Sequence, residues 1–572
     1  MSTFTQRSSV CAARPGVAGL RGYRRSAAPA WVTMRLDSNE GRSPPPEAMA
    51  ALAGVDQEAT RRYPDATGLE RLIAERLGVA AGQVVATCGG DDAIDRVCRA
   101  FIGAGSEAIV ATPTFEMIER SIRLGGGRVV GVPWEGEYPI DEVLARVSEA
   151  TALIAVVSPN NPTGAVVDAE VLRRLSAAAP RAVLLVDLAY SEFADEDLTA
   201  AALELPNAVV VRTFSKAWGL AGLRIGYAVS REETAESIRA VGGPFAVSGA
   251  GIAAAGACLS GGDAWMREGV AQVRREREQL AAMLEELGLR VAPSQGNFVL
   301  ARSDRAGMVR ERLLSMGISV RGFERGGPLS DAVRITCPGD QEEFDLLATA
   351  LRSALRPQAL LLDMDGVIAD VSESYRAAIV ATAARFGVDI TAEDVAGAKR
   401  RPGSNNDWVV TQRLMHERGV TRSLEEVTQC FEGIYAELRD RERMIPERGV
   451  LERLAGRIRI GIVTGRPRRD AEEFVSRHRL DGMFSAMVCM EDTIRLKPDP
   501  APVRLAMERM GAGSAWMVGD TPDDVQAARS AGVLPLVVAA PGEDPMVARA
   551  VFESVGAAMV LGGLDEIEEM LG

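Results

Sequence analysis

Thr213-Phe-Ser-Lys-Ala-Trp-Gly-Leu-Ala-Gly-Leu-Arg224 decides how the first half of this chain is read. An apolar, strand-like run at 208–211 leads into it, and Lys216 follows just past that run. Arg224 comes eight residues after Lys216, with glycines in the turn between them. A lysine, a Gly-rich turn and an arginine suit a cofactor that carries both an aldehyde and a phosphate. The amine forms a Schiff base, while Ser215 and Arg224 hold the phosphate. A lysine by itself is usually a solvated surface charge, so partners elsewhere decide the matter.

Those partners occur in order along the chain. Gly89-Gly-Asp-Asp-Ala-Ile-Asp95 follows one strand and opens a helix, where backbone N–H groups and the helix dipole favour an anion. Ser158-Pro-Asn-Asn-Pro-Thr-Gly164 puts Asn161 after the strand at 153–157, at the end where α/β sites collect. Val183-Leu-Leu-Val-Asp187 closes another apolar strand with a carboxylate, and Tyr190 lies three residues on. A lone Asp there usually caps a helix. Set against a pyridine nitrogen, it keeps that nitrogen protonated and makes the ring an electron sink.

Strands at 83–87, 108–111, 129–132, 153–157, 182–186, 208–211 and 225–229 alternate with helical patterns, which predicts a mostly parallel sheet covered on both faces. A long charged helix at 264–287 leads to a smaller α/β domain: strands at 290–292, 297–301, 319–321 and 332–336, and a helix at 305–316. Leu355-Arg-Pro-Gln358 reads as a short linker, so the two halves are expected as close neighbours.

Beyond it, Leu360-Leu-Leu-Asp-Met-Asp-Gly-Val367 is an apolar strand ending in two carboxylates on one face. One can attack phosphorus while the other trades a proton with the leaving oxygen. The run 457–463 ends in Thr464-Gly-Arg466, a hydroxyl and backbone N–H suited to a phosphoryl oxygen; Lys497-Pro498 supplies a cation. Val518-Gly-Asp-Thr-Pro-Asp-Asp524 ends a further strand in acids suited to Mg²⁺. An isolated Asp-x-Asp is weak, but four such motifs in this order are strong.

Residues 16–355 resemble the fold-type I pyridoxal-phosphate aminotransferases, the histidinol-phosphate aminotransferases above all. The resemblance rests on Leu36-Asp-Ser-Asn-Glu40, Arg62-Tyr-Pro-Asp65, Pro113-Thr-Phe115, Pro159-Asn-Asn-Pro-Thr-Gly164 and Ser215-Lys216 with Ala221-Gly-Leu-Arg224. It implies Lys216 as Schiff-base lysine and proton shuttle, Asp187 on the pyridinium, Asn161 and Tyr190 on the ring hydroxyl, and Phe115 stacked on the ring. Gly90, Asp91, Ser215 and Arg224 would cradle the phosphate. Tyr63 would reach the cofactor of a neighbouring subunit, which implies a homodimer. Arg334, with Arg321, would clamp the substrate's anionic end, and Tyr23 would stand on the substrate side. Two departures bear on substrate choice: Gly89-Gly-Asp-Asp92 replaces the family's Gly-Ser-Asp-Glu, and Gly41-Arg42 replaces its Asn-Pro.

Residues 358–572 resemble the haloacid dehalogenase superfamily of phosphatases. The resemblance implies a Rossmann-like domain with Asp363 as nucleophile, Asp365 as general acid/base, and Thr464 and Lys497 on the phosphoryl group. Mg²⁺ would be held by Asp363, the Asp365 carbonyl and Asp520, with Asp524 in or beside that shell. A helical cap at about 370–450 would cover the site, and Lys399, Arg400 and 405–408 either reach the leaving group or form a solvated loop.

The expected organisation is therefore an arm at 1–30, an aminotransferase at 31–355 and a phosphatase at 356–572. The aminotransferase family makes histidinol phosphate from imidazole-acetol phosphate and glutamate, and a fused phosphatase suits the next step of histidine synthesis. Rival readings are a transaminase of another amino acid or a phosphothreonine-type decarboxylase, fused to a general phosphatase such as one for phosphoglycolate. A regulatory C-terminal module and a non-catalytic binding protein are further alternatives.

Composition narrows the classes. At 572 residues the chain exceeds one core. Its net charge of −14 argues against nucleic acid or an anionic membrane as main partner, while small anionic substrates stay open. No run approaches a membrane span. The seven cysteines are scattered, as expected of reduced thiols in a cytoplasmic protein. Two histidines, His416 and His478, are too few and too far apart for a histidine metal cluster. The first carboxylate is Asp37, so the basic start is either a transit peptide or a frayed terminus.

Overall fold

The computed structural model describes residues 28–401 and 403–571, together with Val17, Leu20 and Gly22. Tyr23, expected on the substrate side, lies outside the described residues. The chain divides into two compact units. One contains Leu36–Asp304 and Arg321–Phe344; the other contains Ala28–Arg35, Arg305–Val320 and the chain from Asp345 onward.

The first unit is built on a seven-stranded sheet. Its spatial order is Val84–Thr87, Gly226–Val229, Ala208–Thr213, Val183–Asp187, Thr151–Val157, Glu107–Thr112, Arg128–Pro133. Neighbours are parallel except Gly226–Val229, which runs antiparallel to both its flanks. Every residue of Val183–Asp187 and Ala208–Thr213 is buried, as a sheet covered on both faces requires. Alternate residues serve opposite faces. Leu153, Ala155, Leu185 and Val209 pack with Ile94, Val97 and Ile118 on one side. Ile154, Val156, Leu184 and Val210 pack with Leu172 and Leu175 on the other.

A smaller antiparallel sheet places Phe298–Arg302 between Arg290–Val291 and Ala332–Thr336. Arg321 and Arg334 are direct cross-strand partners in it. Two like charges there repel, which favours an anion or acid between or beside them. The long helix expected at 264–287 runs Asp263–Glu286.

The second unit holds a six-stranded, wholly parallel sheet in the order Ala486–Val488, Arg459–Val463, Ala359–Leu362, Ala515–Gly519, Leu534–Val538, Met559–Leu561. A two-stranded ribbon, Ala369–Asp370 with Arg443–Met444, brackets four helices: Tyr375–Arg385, Ala392–Lys399, Asp407–Glu417 and Leu424–Leu438. Capping boxes at Thr391 and Ser423 start two of them. These helices occupy the stretch 370–450, where a helical cap is expected.

Compactness divides the chain differently from the expected break at 355–356. Residues 305–320 and most of the helix Gln341–Leu355 go with the C-terminal sheet. The buried Trp516 indole donates to the Ser353 carbonyl at 2.7 Å, and Arg312 lies 5.3 Å over the same ring. A fully buried indole N–H needs such a partner, and the helix end supplies it.

Leu361 is wholly buried in the central strand of the second unit. Leu361→Ala is expected to destabilise that unit by about 2–5 kcal/mol, read as a lowered thermal midpoint; an unchanged midpoint contradicts the packing described.

Candidate active sites

Lys216 is held by anchors on both sides. The strand Ala208–Thr213 ends at Thr213, whose hydroxyl accepts from the Ser215 N–H at 3.1 Å and donates to the Ser215 hydroxyl at 2.9 Å. Phe214 and Trp218, two residues to either side of Lys216, are both buried in one apolar cluster, which anchors the turn that carries the lysine. Its ammonium donates to the Ser38 carbonyl at 3.2 Å and stands 5.5 Å from the Tyr190 ring.

The segment after Leu36 passes tightly across this turn. A Cβ on Gly41 would lie 1.8 Å from the Lys216 carbonyl oxygen, so only glycine fits. Asn39 takes φ 52°, is almost fully buried, and donates from its amide to the Tyr190 hydroxyl at 3.0 Å. The departure at Gly41-Arg42 thus has a steric role against the lysine's own backbone.

Asp187 ends its strand fully enclosed. Burial pushes its carboxyl from the ordinary 3.8 to about 7; the Ala189 N–H at 3.0 Å opposes this, Asp91 adds to it, and Lys216 opposes it. Such a group gains from a positive partner. Arg334, also buried, donates to the Asn161 side-chain oxygen and to the Asp37 carbonyl, the latter at 2.8 Å. At the other end, Arg224 meets Asp91 at 3.0 Å, and both are about half exposed. Gly89, at φ +81°, lets the Arg224 guanidinium approach: a Cβ there would lie 2.6 Å from Nη2. Gly90 opens the helix Gly90–Phe101 beside it. The second departure, Asp92, is occupied structurally, accepting from the Cys88 N–H at 2.8 Å and pairing with Arg96 at 2.8 Å.

A buried acid at one end, an arginine and a helix N-terminus at the other, and a lysine bordering Tyr190 fit pyridoxal phosphate. Phe115 stands at the start of the helix Glu116–Gly125, half-buried against the core. Arg321 pairs with Glu116 at 3.6 Å. Tyr63 is 81% exposed and stacks on Phe245 with ring centroids 4.4 Å apart.

In the second unit, Asp363 follows the strand Ala359–Leu362 and its Oδ1 accepts from the Met364 N–H at 2.7 Å. Lys497 is buried against it, 3.0 Å from Asp363 and 2.6 Å from Asp524, and also donates to the Val463 carbonyl at 3.1 Å. Oxygens of Asp363, Asp520 and Asp524 all lie within 4.8 Å of one another. Burial raises Asp363 to about 7; Lys497 opposes this, and Asp524 and Asp365 add to it. Burial, then Asp363, pushes Asp520 well up. This oxygen-only set with surplus negative charge fits a hard dication. Gly366, at φ +74°, allows the approach: a Cβ there would sit 2.1 Å from an Asp520 oxygen.

The Asp365 side chain lies outside that trio and accepts from Arg466 Nε at 2.5 Å. The Thr464 hydroxyl accepts from the Arg466 N–H at 3.2 Å. From the cap, Lys399, Asn405 and Asp407 line the same pocket as Asp363 and Asp365. Lys399 pairs with Asp407 at 2.5 Å. Arg376, 3.4 Å from Asp520, also lines it. Sequence reasoning gave no role to Arg376, Glu442, Asn39 or Arg466. No local motif marks Arg376 or Glu442, Asn39 was legible only as part of Leu36-Asp-Ser-Asn-Glu40, and Arg466 only as the end of Thr464-Gly-Arg466.

Comparison with known proteins agrees with both halves. Residues 33–351 match the aminotransferase class I and II family, and residues 360–538 match the haloacid dehalogenase-like hydrolases. A histidinol-phosphate aminotransferase of Roseiflexus castenholzii is 35% identical over 59% of this chain and 97% of its own length. Histidinol-phosphate aminotransferase 2 of Pseudomonas aeruginosa is 38% identical over 54% of this chain and 87% of its own. The crystal structure of histidinol-phosphate aminotransferase from Sinorhizobium meliloti, in complex with pyridoxal-5'-phosphate, superposes with a TM-score of 0.55 at 28% identity, covering 61% of this chain and 99% of that one. The chain is an enzyme that belongs to the aminotransferase class I and II family and carries a haloacid dehalogenase-like hydrolase domain behind it.

Proposed function

We propose that the chain performs two successive steps of histidine biosynthesis. It transaminates imidazole-acetol phosphate with glutamate to histidinol phosphate and 2-oxoglutarate, then hydrolyses histidinol phosphate to histidinol. The observation that carries this is one chain holding both the Lys216–Asp187–Arg224 arrangement and the Asp363–Asp365–Lys497 arrangement. The histidinol-phosphate aminotransferases it resembles support histidinol phosphate as the compound shared by the two steps.

In the first site, bound pyridoxal phosphate supplies an electron sink. Asp187 would hold a proton at the pyridine nitrogen, Arg224 and Ser215 with the Gly90 N–H would hold the phosphate, and Asn161 with Tyr190 would orient the ring hydroxyl. The Lys216 amine would take the proton from the donor's α-carbon and carry it across the intervening nitrogen, as the proton shuttle of the site. Arg334, with Arg321 across the strand pair, orients the substrate's anionic end.

In the second site, Asp363, Asp520, Asp524 and the Asp365 carbonyl would hold Mg²⁺, which would offset phosphoryl charge. The Asp363 carboxylate bonds to phosphorus as the P–O bond to the alcohol breaks, and Asp365 gives its proton to the leaving oxygen. Water then attacks phosphorus, Asp365 takes a proton from it, and phosphate leaves with Asp363 restored. Thr464 and Lys497 hold the phosphoryl oxygens.

We place the enzyme in the cytoplasm as a homodimer. The exposed Tyr63–Phe245 stack would be covered there, with Tyr63 reaching the cofactor phosphate of the neighbouring subunit. Among the described residues, no helix is long and apolar enough to cross a membrane.

Purified protein given Mg²⁺, histidinol phosphate and 2-oxoglutarate should form glutamate and release phosphate. Lys216→Ala is expected to lower glutamate formation by at least about 10³-fold with phosphate release retained, and Asp363→Asn to do the reverse. Glutamate without phosphate in the parent enzyme assigns the second site to another ester, phosphoglycolate being the first to try.

A second check uses Asp187. With its carboxyl at 3.8 when unfolded and about 7 when folded, the folded cofactor-free protein binds the extra proton between those values. Its contribution to stability is present below pH about 4 and is lost as pH rises through about 7. The thermal midpoint of cofactor-free protein should therefore fall less over this window in Asp187→Asn than in the parent; identical slopes count against the burial described.

A further inference from the structure

Arg466 is 99% buried, and its guanidinium joins two acids that lie far apart in sequence. Nε donates to Asp365 at 2.5 Å and Nη1 to Glu442 at 3.0 Å. The Glu442 side chain is itself only 2% exposed. Its second oxygen accepts from the Ser374 hydroxyl at 2.9 Å and the Tyr435 hydroxyl at 3.2 Å. A buried arginine between two carboxylates, with rings at 4.8 Å and 5.5 Å from it (Tyr375 and Phe474), has one arrangement that keeps both acids paired.

The positions of these residues give the cluster its meaning. Glu442 stands between the last cap helix, Leu424–Leu438, and the returning hinge strand Arg443–Met444. Ser374 stands between the outgoing strand Ala369–Asp370 and the first cap helix, Tyr375–Arg385. Tyr435 belongs to the last cap helix. Both chain crossings into the cap therefore meet on one carboxylate, and that carboxylate holds the arginine that holds Asp365.

We propose that Arg466 and Glu442 form a buried strut that aims the Asp365 carboxyl and ties its aim to the seating of the cap. The proposal rests on the phosphatase reading above. Arg466 fixes Oδ1 of a side chain that is 25% exposed, which leaves Oδ2 to exchange the proton with the leaving oxygen. Arg466 and Glu442 touch no reacting atom; they are positioning residues.

The dependence of rate on the leaving group tests this. A well-aimed general acid matters greatly for a poor leaving group and little for a good one. Hydrolysis of phenyl, nitrophenyl and dinitrophenyl phosphate is measured with Mg²⁺ for the full-length parent, Arg466→Met, Arg466→Lys and Glu442→Gln. Arg466→Met is expected to lose about 10²-fold or more in kcat on phenyl phosphate and less than about ten-fold on dinitrophenyl phosphate, with KM little changed. Arg466→Lys restores part of the loss, and Glu442→Gln, the gentler change, steepens the dependence in the same direction. An equal fall on all three esters in Glu442→Gln, or no change in any variant, overturns the strut while leaving the phosphatase reading standing. A parent protein inert on every ester overturns that reading and the strut with it.

Discussion

A carboxylate enclosed at the carboxyl end of a parallel strand is costly until a positive group faces it. Both chemistries of this chain start from that condition. Asp187 and Asp363 each follow or end a fully buried strand, and burial brings each to about 7. Each then has a lysine in its surroundings: Lys216 weakly opposing the shift at Asp187, and Lys497 in direct contact with Asp363. The sheet supplies the enclosure, and the loop after it decides what the stored charge can do.

Close backbone approach is the second condition, and glycines meet it at two places. Gly41 lets the segment after Leu36 cross the carbonyl of Lys216, and Gly366 lets Asp520 reach the Asp-x-Asp turn. Neither glycine touches a substrate. Each allows side chains from distant parts of the sequence to share one site, so a methyl group at either position would push apart an arrangement that the carboxylates require.

Much of the fold could be read directly. Apolar strands broken by helical patterns mark the seven-stranded sheet, and the strand 332–336 of the smaller sheet falls where the sequence places it. The edges shifted by a residue or two where pairing with a neighbour extends a strand past its apolar run, as at Thr213 and Asp187. Less legible was the meaning of the two departures from the aminotransferase pattern. Asp92 is taken up by the Cys88 N–H and Arg96, and Gly41 by the Lys216 carbonyl; both partners are set by folding rather than by neighbours in the motif.

The sequence by itself determined the strands of the seven-stranded sheet, their order along the chain, and which strand ends in both halves carry lysine or acid. Those features follow from local periodicity and from residue types within a few positions of one another. Tertiary structure alone decided the rest. It assigned 305–320 to the compact unit of the C-terminal sheet, turned Asp365 toward Arg466 across 101 positions, and gathered both cap crossings on Glu442. The reason is that burial and pairing of charges are long-range properties: an arginine acquires its partners only when the chain closes round it, and no local pattern records which acids those will be.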